Sequence, residues 1–276
     1  MSTVDIPQKI TLLRQWQDKR LQEYGDAPVF AKTGPSSVTV LCYFYRPEEQ
    51  IEQSFKYTKC AIFETWRHCG MMKTVLVVNR LHAQVQRFAE QYSSWVDIEV
   101  EGNLRPGDID CMSTDCNSKL YLRFSTPYVL IVQDDGFPIR EGLEFFIGKA
   151  DYLGSPFRRR TWKGMLASCL FRHCPANGGF SLRTHKLCEL TAKYWNRFYK
   201  EEKFSDEQVE DIFYTDTLPR RFWKYRIAVK IANPKLASQF SYDGCLPENI
   251  IDNPFGFHSA RAFAELMRKK DRLGVR

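Results

Sequence analysis

Three uninterrupted apolar runs decide what this chain can fold into. Val38 to Tyr45 (VTVLCYFY), Lys73 to Asn79 (KTVLVVN) and Tyr128 to Gln133 (YVLIVQ) are β-branched, aliphatic or aromatic almost throughout. A strand with one wet face alternates apolar and polar residues, whereas a strand without alternation is buried on both faces, as in a parallel sheet. Residues 48–69 and 80–92 read as helices between these runs, and residues 117–124 as another before the third. Val96-Asp97-Ile98-Glu99-Val100 alternates like a shorter strand. Strand, helix, strand, helix, strand is the doubly wound order. The expected fold class is α/β, with a Rossmann-type central sheet and flanking helices.

The flanks are less regular. Residues 6–23 place Ile10, Leu13, Trp16 and Leu21 near one helical face, an amphipathic leading helix followed by the breaker Gly34-Pro35-Ser36-Ser37. Beyond residue 150 come Asp151-Tyr152-Leu153-Gly154-Ser155-Pro156-Phe157, the basic cluster Arg158-Arg159-Arg160, and Asn177-Gly178-Gly179-Phe180-Ser181-Leu182-Arg183, read as a glycine loop. Helices are expected from about 184 to 201 and from 206 onward, then a loop-rich segment to Pro254-Phe255-Gly256-Phe257-His258, then a basic helix over 259–273. No repeat or long linker interrupts the 276 residues, so one domain with two subregions is expected. The 40 Lys+Arg exceed the 33 Asp+Glu by 7, which is compatible with an anionic ligand but far short of a nucleic-acid arm. No apolar run nears the ~20 residues of a membrane helix, and the first thirty residues lack a secretory h-region. Nine cysteines, an odd number without C-x-x-C spacing, read as plain thiols of a reducing compartment, so a cytoplasmic location is expected.

Four places could carry chemistry. Asp134-Asp135, followed by Gly136, lies where a buried strand leaves the sheet, the edge at which α/β folds bind ligands. Paired carboxylates there can hold a divalent cation shared with nucleotide phosphates, although Asp-Asp-Gly is equally good β-turn chemistry. Asn177-Gly178-Gly179 lets the backbone approach a ligand closely, and it also suits a hairpin turn. Glu210-Asp211, before Ile212-Phe213-Tyr214, can supply a general base or a plain acidic helix surface. His258 can serve as a structural residue or as an imidazole partner to Asp135 on a transition metal. No Walker loop, GxGxxG, HExxH or G-x-S-x-G element occurs, which disfavours P-loop, dehydrogenase, zincin and α/β-hydrolase chemistry.

Taken in order, VLIVQDDG (129–136), DYLGSPF (151–157), NGGFSLR (177–183), VEDIF (209–213) and PFGFH (254–258) resemble a glycosyltransferase of the GT-A fold. The chain looks most like a little-characterised glycosyltransferase domain family of bacteria and fungi. The resemblance implies a GT-A-like domain over 37–258, with a nucleotide-sugar half (37–150) and an acceptor and catalytic half (151–258), after a helical preamble (1–36) and before a basic helix (259–276). It implies Asp135 and His258 as metal ligands for Mn²⁺ or Mg²⁺, with Gln133 standing where the Asp-x-Asp motif has its first carboxylate and free to bond a ribose hydroxyl. Asp134 is then the variable middle residue of a donor site that also includes Tyr43, Arg46, Asp151, Asn177, Gly178 and Gly179. Asp211, beside Glu210, resembles the catalytic base of inverting members. The implied partners are a nucleotide-sugar donor and a glycan, lipid-linked or protein acceptor, without nucleic acid or a transmembrane segment but compatible with peripheral membrane contact. Two other readings stay open, a sugar nucleotidyltransferase and a non-catalytic binding protein on a decayed transferase scaffold.

Overall fold

A computed structural model describes residues 6–156, 176–200, 203–244 and 253–273, the last few without their side chains. Phe157, the basic cluster Arg158-Arg159-Arg160, and Cys169, Cys174 and Cys245 lie outside the described residues. Six strands form the central sheet: β1 (Val38–Phe44), β2 (Thr74–Val78), β3 (Val96–Val100), β4 (Tyr128–Ile131), β6 (Tyr152–Pro156) and β7 (Ala176–Thr184). Their spatial order is β3-β2-β1-β4-β7-β6. The first four run parallel, in registers such as Leu41 opposite Val75 and Ile131. β7 then runs antiparallel to β4, and β6 antiparallel to β7. A second sheet is made of β5 (Gly136–Pro138), β9 (Gly256–His258) and β8 (Ser241–Tyr242), in that order β5-β9-β8.

The unbroken apolar runs are explained by two cores. Val38, Val40, Cys42 and Phe44 of β1 face one core, while Leu41 and Tyr43 face the other. The period-2 geometry of a strand sends successive side chains to opposite faces, so a strand covered on both faces is mostly apolar, with Thr39 the buried polar residue of β1. The first core is closed by helices α1 (Ile6–Tyr24), α2 (Ile51–Cys69) and α3 (Ala83–Gln91), which contribute Leu13, Phe63, Trp66 and Phe88. The second is closed by α4 (Ile109–Lys119) and α5 (His185–Phe198), with Phe213, Tyr214 and Tyr225 from the chain that follows. Each fully buried aromatic side chain stabilises by ~1.5–3 kcal/mol relative to exposure. The result is a mixed α/β domain, a central sheet with helices on both faces, as the apolar runs imply.

Three local readings are corrected. Asn177 to Arg183 is not a loop but the interior of β7, paired with both β4 and β6. Its glycines suit a strand that neighbours approach closely, and that use cannot be told from a turn by residue type alone. α4 begins at residue 109, earlier than 117, because the Asp108 side chain caps it by accepting from the amides of Asp110 and Cys111. Its polar, cysteine-containing sequence hides the periodicity. Residues 206 onward form not one helix but short pieces, including a π-helical turn at Phe213–Thr217.

Candidate active site

The site is built around the turn that follows β4. Gln133 and Gly136 exchange backbone hydrogen bonds (2.9 and 3.0 Å), so Asp134 and Asp135 occupy the two central positions of a tight turn. The turn reading holds, and the turn lies at the carboxyl end of a parallel strand, the edge at which open α/β sheets bind ligands. Gly136 opens β5, whose partner β9 sets His258 directly opposite it. The amide of Ser259 donates to the carbonyl of Asp135 at 2.8 Å. That bond coincides with a left-handed backbone at Ser259 (φ 88°), an unusual conformation for a residue with a Cβ. Ser259 also caps the final helix α6 (Ala260–Leu273), its Oγ accepting from the Ala262 amide.

His258 is the focus. Its Nε2 lies 3.2 Å from Gln133 Oε1 and 3.8 Å from Asp135 Oδ1, while Nδ1 faces Asp243 Oδ1 at 3.5 Å. Burial pushes the imidazole pKa down, but Asp243 and Asp135 outweigh it and carry it up to about 9. Burial raises the Asp135 carboxyl, opposed by His258 and assisted by the neighbouring Asp134. Asp243 was not singled out from the sequence, where it falls in the loop-rich stretch before Pro254. No local signal distinguishes it.

The glycine pair explains how β7 fits beside these groups. A Cβ on Gly179 would lie 2.1 Å from His258 Nε2 and 2.6 Å from Gln133 Oε1. A Cβ on Gly178 would lie 1.9 Å from Glu210 Oε1. The strand thus has His258 packed on one side and Glu210 on the other. Asn177 Oδ1 accepts from the Gly179 amide at 2.8 Å. Arg183, fully buried, binds Glu210 at 2.7 Å and Ser181 Oγ at 3.0 Å, and its guanidinium lies over the rings of Tyr152 and Tyr214. Asp211 follows Glu210 directly. Burial, then the charge of Glu210, push its carboxyl up to about 7, against the opposing pull of the Ile212 amide, Arg183 and His258.

Gln133, Asp135, Gly179 and His258 are thus brought into contact, with Gly178 and Glu210 adjoining them and Asp211 next in sequence. Other expected site residues go elsewhere. Asp134 is held by Arg14 of α1, whose Nη2 lies 2.6 Å from Oδ2, while Gln17 donates to its carbonyl at 2.7 Å. Arg46, half-buried, stays beside the turn and reaches the other oxygen of Asp134 at 3.5 Å. Tyr43 turns its hydroxyl inward onto Asp115 at 2.6 Å. Asp151 accepts from Thr184 Oγ1 and from the Lys230 amide. Thr184 pairs with Tyr128 at the amino end of β4, away from the turn at its carboxyl end.

Among the described residues no three His, Cys, Asp or Glu side chains are arranged to hold a metal. Two do face one another suitably. Ligands each ~2.1 Å from one ion stand up to about 4.2 Å apart, so the 3.8 Å between His258 Nε2 and Asp135 Oδ1 fits a shared cation. Imidazole with carboxylate is a donor set suited to Mn²⁺. No described helix is long and apolar enough to cross a membrane. Cys42, Cys60, Cys69, Cys111, Cys116 and Cys188 are free thiols.

Residues 110–258 match a protein family described as "Protein of unknown function (DUF5672)". No curated protein matches the sequence. Solved structures similar to the chain include a mannosyltransferase, PcManGT from Pyrobaculum calidifontis in complex with GDP-Man and Mn²⁺. It is 13% identical with a TM-score of 0.36, over 66% of this chain and 55% of that one. The galactosyltransferase LgtC in complex with donor and acceptor sugar analogues is 10% identical with a TM-score of 0.49, over 84% and 94%. The glycosyltransferase GlyE of Streptococcus pneumoniae TIGR4 is 11% identical with a TM-score of 0.47, over 81% and 54%. The chain therefore spans little more than half the length of two of these three. At such identities and scores, the chemistry of this chain rests on its own residues.

Proposed function

The chain belongs to the DUF5672 family of proteins of unknown function, and we propose that it transfers a sugar from a nucleotide-sugar donor to a hydroxyl acceptor. The observation that carries this reading is the convergence of Asp135, His258 and the glycine pair of β7 at the carboxyl end of β4. Asp211, whose carboxyl is raised to about 7, is close enough to His258 to feel its charge. The order of motifs along the chain, similar to that of GT-A glycosyltransferases, supports it independently. We assign 37–150 to donor binding and 151–258 to the acceptor and catalytic half.

Asp135 and His258 would hold Mn²⁺ or Mg²⁺, which would neutralise charge on the departing nucleoside diphosphate. Asp243 faces Nδ1 of His258 and so leaves Nε2 as the nitrogen available to an ion, the usual arrangement in which a carboxylate orients a histidine ligand. Gln133 adjoins the same nitrogen and offers a hydrogen bond to a ribose hydroxyl. Asp134, tied to Arg14, anchors the turn rather than reaching the donor. Glu210 is committed to Arg183, so proton acceptance falls to Asp211. A general base works best with a pKa near the operating pH, and such help is worth typically ~10²–10⁴-fold. Attack by the acceptor oxygen from the Asp211 side, opposite the leaving diphosphate, inverts the anomeric centre.

A screen of nucleotide sugars for Mn²⁺-dependent hydrolysis, followed by NMR of any glycoside formed, tests the proposal. Release of a nucleoside diphosphate and a β-glycoside from an α-linked donor is expected. Release of pyrophosphate would mean nucleotidyl transfer instead. No turnover of any donor, with metal present, would sink the enzymatic reading.

A further inference from the structure

Charge on this molecule is concentrated. Residues 185–200 and 218–230 carry nine Lys and Arg against one acidic residue, Glu189, which pairs with Lys193, while Glu207 pairs with Arg220 and Arg221. Folding brings the two segments together. Phe222 packs between Tyr194 (4.8 Å) and Phe198 (4.9 Å) of α5, and Lys186 Nζ donates to the Ala228 carbonyl at 2.6 Å. From this seam the short helix Trp223–Ala228 turns Tyr225 into the core. Trp223 and Ile227, one helical turn apart, are left 66% and 73% exposed, with Phe198 of α5 at 41%. Lys224 and Arg197 flank these apolar groups, each near an aromatic ring of the patch.

Leaving a Trp and an Ile in water on one helical face forgoes the stabilisation that burial would give both. Cations set beside exposed apolar side chains, Lys224 at Trp223 and Arg197 at Phe198, fit one environment on both counts, an anionic bilayer surface. There the apolar groups enter the headgroup boundary and the cations meet lipid phosphates. A soluble polyanion would engage the cations but give Ile227 no partner. We infer that the face formed by α5 and the Trp223–Ala228 helix docks this protein on anionic lipid. The inference is independent of the proposed sugar transfer, because none of these residues belongs to the site described above.

Co-sedimentation with vesicles tests it, comparing pure phosphatidylcholine with an equimolar mixture of phosphatidylcholine and phosphatidylglycerol at low salt. The protein is expected in the pellet with the anionic vesicles and in the supernatant with the neutral ones. The double variant Trp223→Ser/Ile227→Ser should partition at least ~10-fold less. Arg197→Gln or Lys224→Gln should each lower partition about 5-fold. All these positions are solvent-facing, and unchanged thermal unfolding of the variants confirms that folding is intact. Equal partition of the double variant and the parent would overturn the inference, as would retention on heparin without binding to anionic vesicles.

Discussion

The Asp211 carboxyl is held in a setting that penalises its charge, and that penalty can be measured apart from any reaction. Burial and Glu210 raise it from the ordinary 3.8 to about 7. Each tenfold change in proton affinity is ~1.4 kcal/mol, so ionised Asp211 costs the folded state up to about 4 kcal/mol. Partial exposure of the side chain screens some of this, and about 1–3 kcal/mol is the expected effect. The pH dependence has a definite sign. Below about 3.8 both folded and unfolded chains keep the proton and there is no penalty. Between 3.8 and 7 the unfolded chain ionises first, so stability falls as pH rises, and above 7 the loss is complete. Asp211→Asn is uncharged throughout and keeps an oxygen for the Ile212 amide, now 2.6 Å from Oδ1. Its stability gain over the parent should therefore be near zero at pH 4, grow through pH 5–7, and level off above. Urea unfolding at a series of pH values reads this directly. If Asp211 is also the base, the same variant loses kcat by ~10²–10⁴-fold with donor affinity nearly intact. A gain that is independent of pH, or a loss of stability at pH 8, would refute the placement of Asp211 in a charge-penalising site.

Three further outcomes follow from the same geometry. Asp135→Ala, or excess EDTA on the parent, should abolish donor turnover and weaken Mn²⁺ binding measured by calorimetry; unaltered turnover in EDTA would remove the metal from the mechanism. Gly179→Ala should destabilise by about 1–3 kcal/mol in thermal unfolding, because its methyl would lie 2.1 Å from His258 Nε2, whereas an unchanged melting curve would mean β7 can shift at no cost. Arg183→Met, which leaves Glu210 buried without its cation, should cost about 3–5 kcal/mol, and the double variant Arg183→Met/Glu210→Leu should recover much of that loss; failure to recover it would show that the pair is not the dominant interaction.

Much of the sheet was legible because burial on both faces leaves a direct mark on sequence. β1, β2 and β4 are unbroken apolar runs, and β3, at the edge of the sheet, alternates. β7 was not legible. Its glycines are dictated by His258 and Glu210, which lie 79 and 32 positions after Gly179 and Gly178, and no local pattern encodes such a distant approach. The same reason hides Asp243, whose role depends on β8 and β9 lying side by side. Tyr43 and Asp151 were placed in the site by the resemblance to GT-A glycosyltransferases. Their partners, Asp115 and the Thr184–Lys230 pair, become visible only once the chain is folded.

The leading helix α1 shows how a segment outside the sheet can set the site's geometry. Trp16 packs against Phe137 of β5 and Phe263 of α6, so the helix is seated on the two elements that flank the Asp134–Asp135 turn. From that seat Arg14 and Gln17 hold both the carboxylate and the carbonyl of Asp134. With Asp134 drawn toward α1, Asp135 is left as the carboxylate facing His258, and Ser259 fixes its carbonyl from the other side. A two-residue turn has few backbone solutions, and contacts from α1 and α6 together select one of them. The different settings of the two adjacent aspartates therefore arise from tertiary packing: Asp134 anchors the turn and Asp135 faces His258.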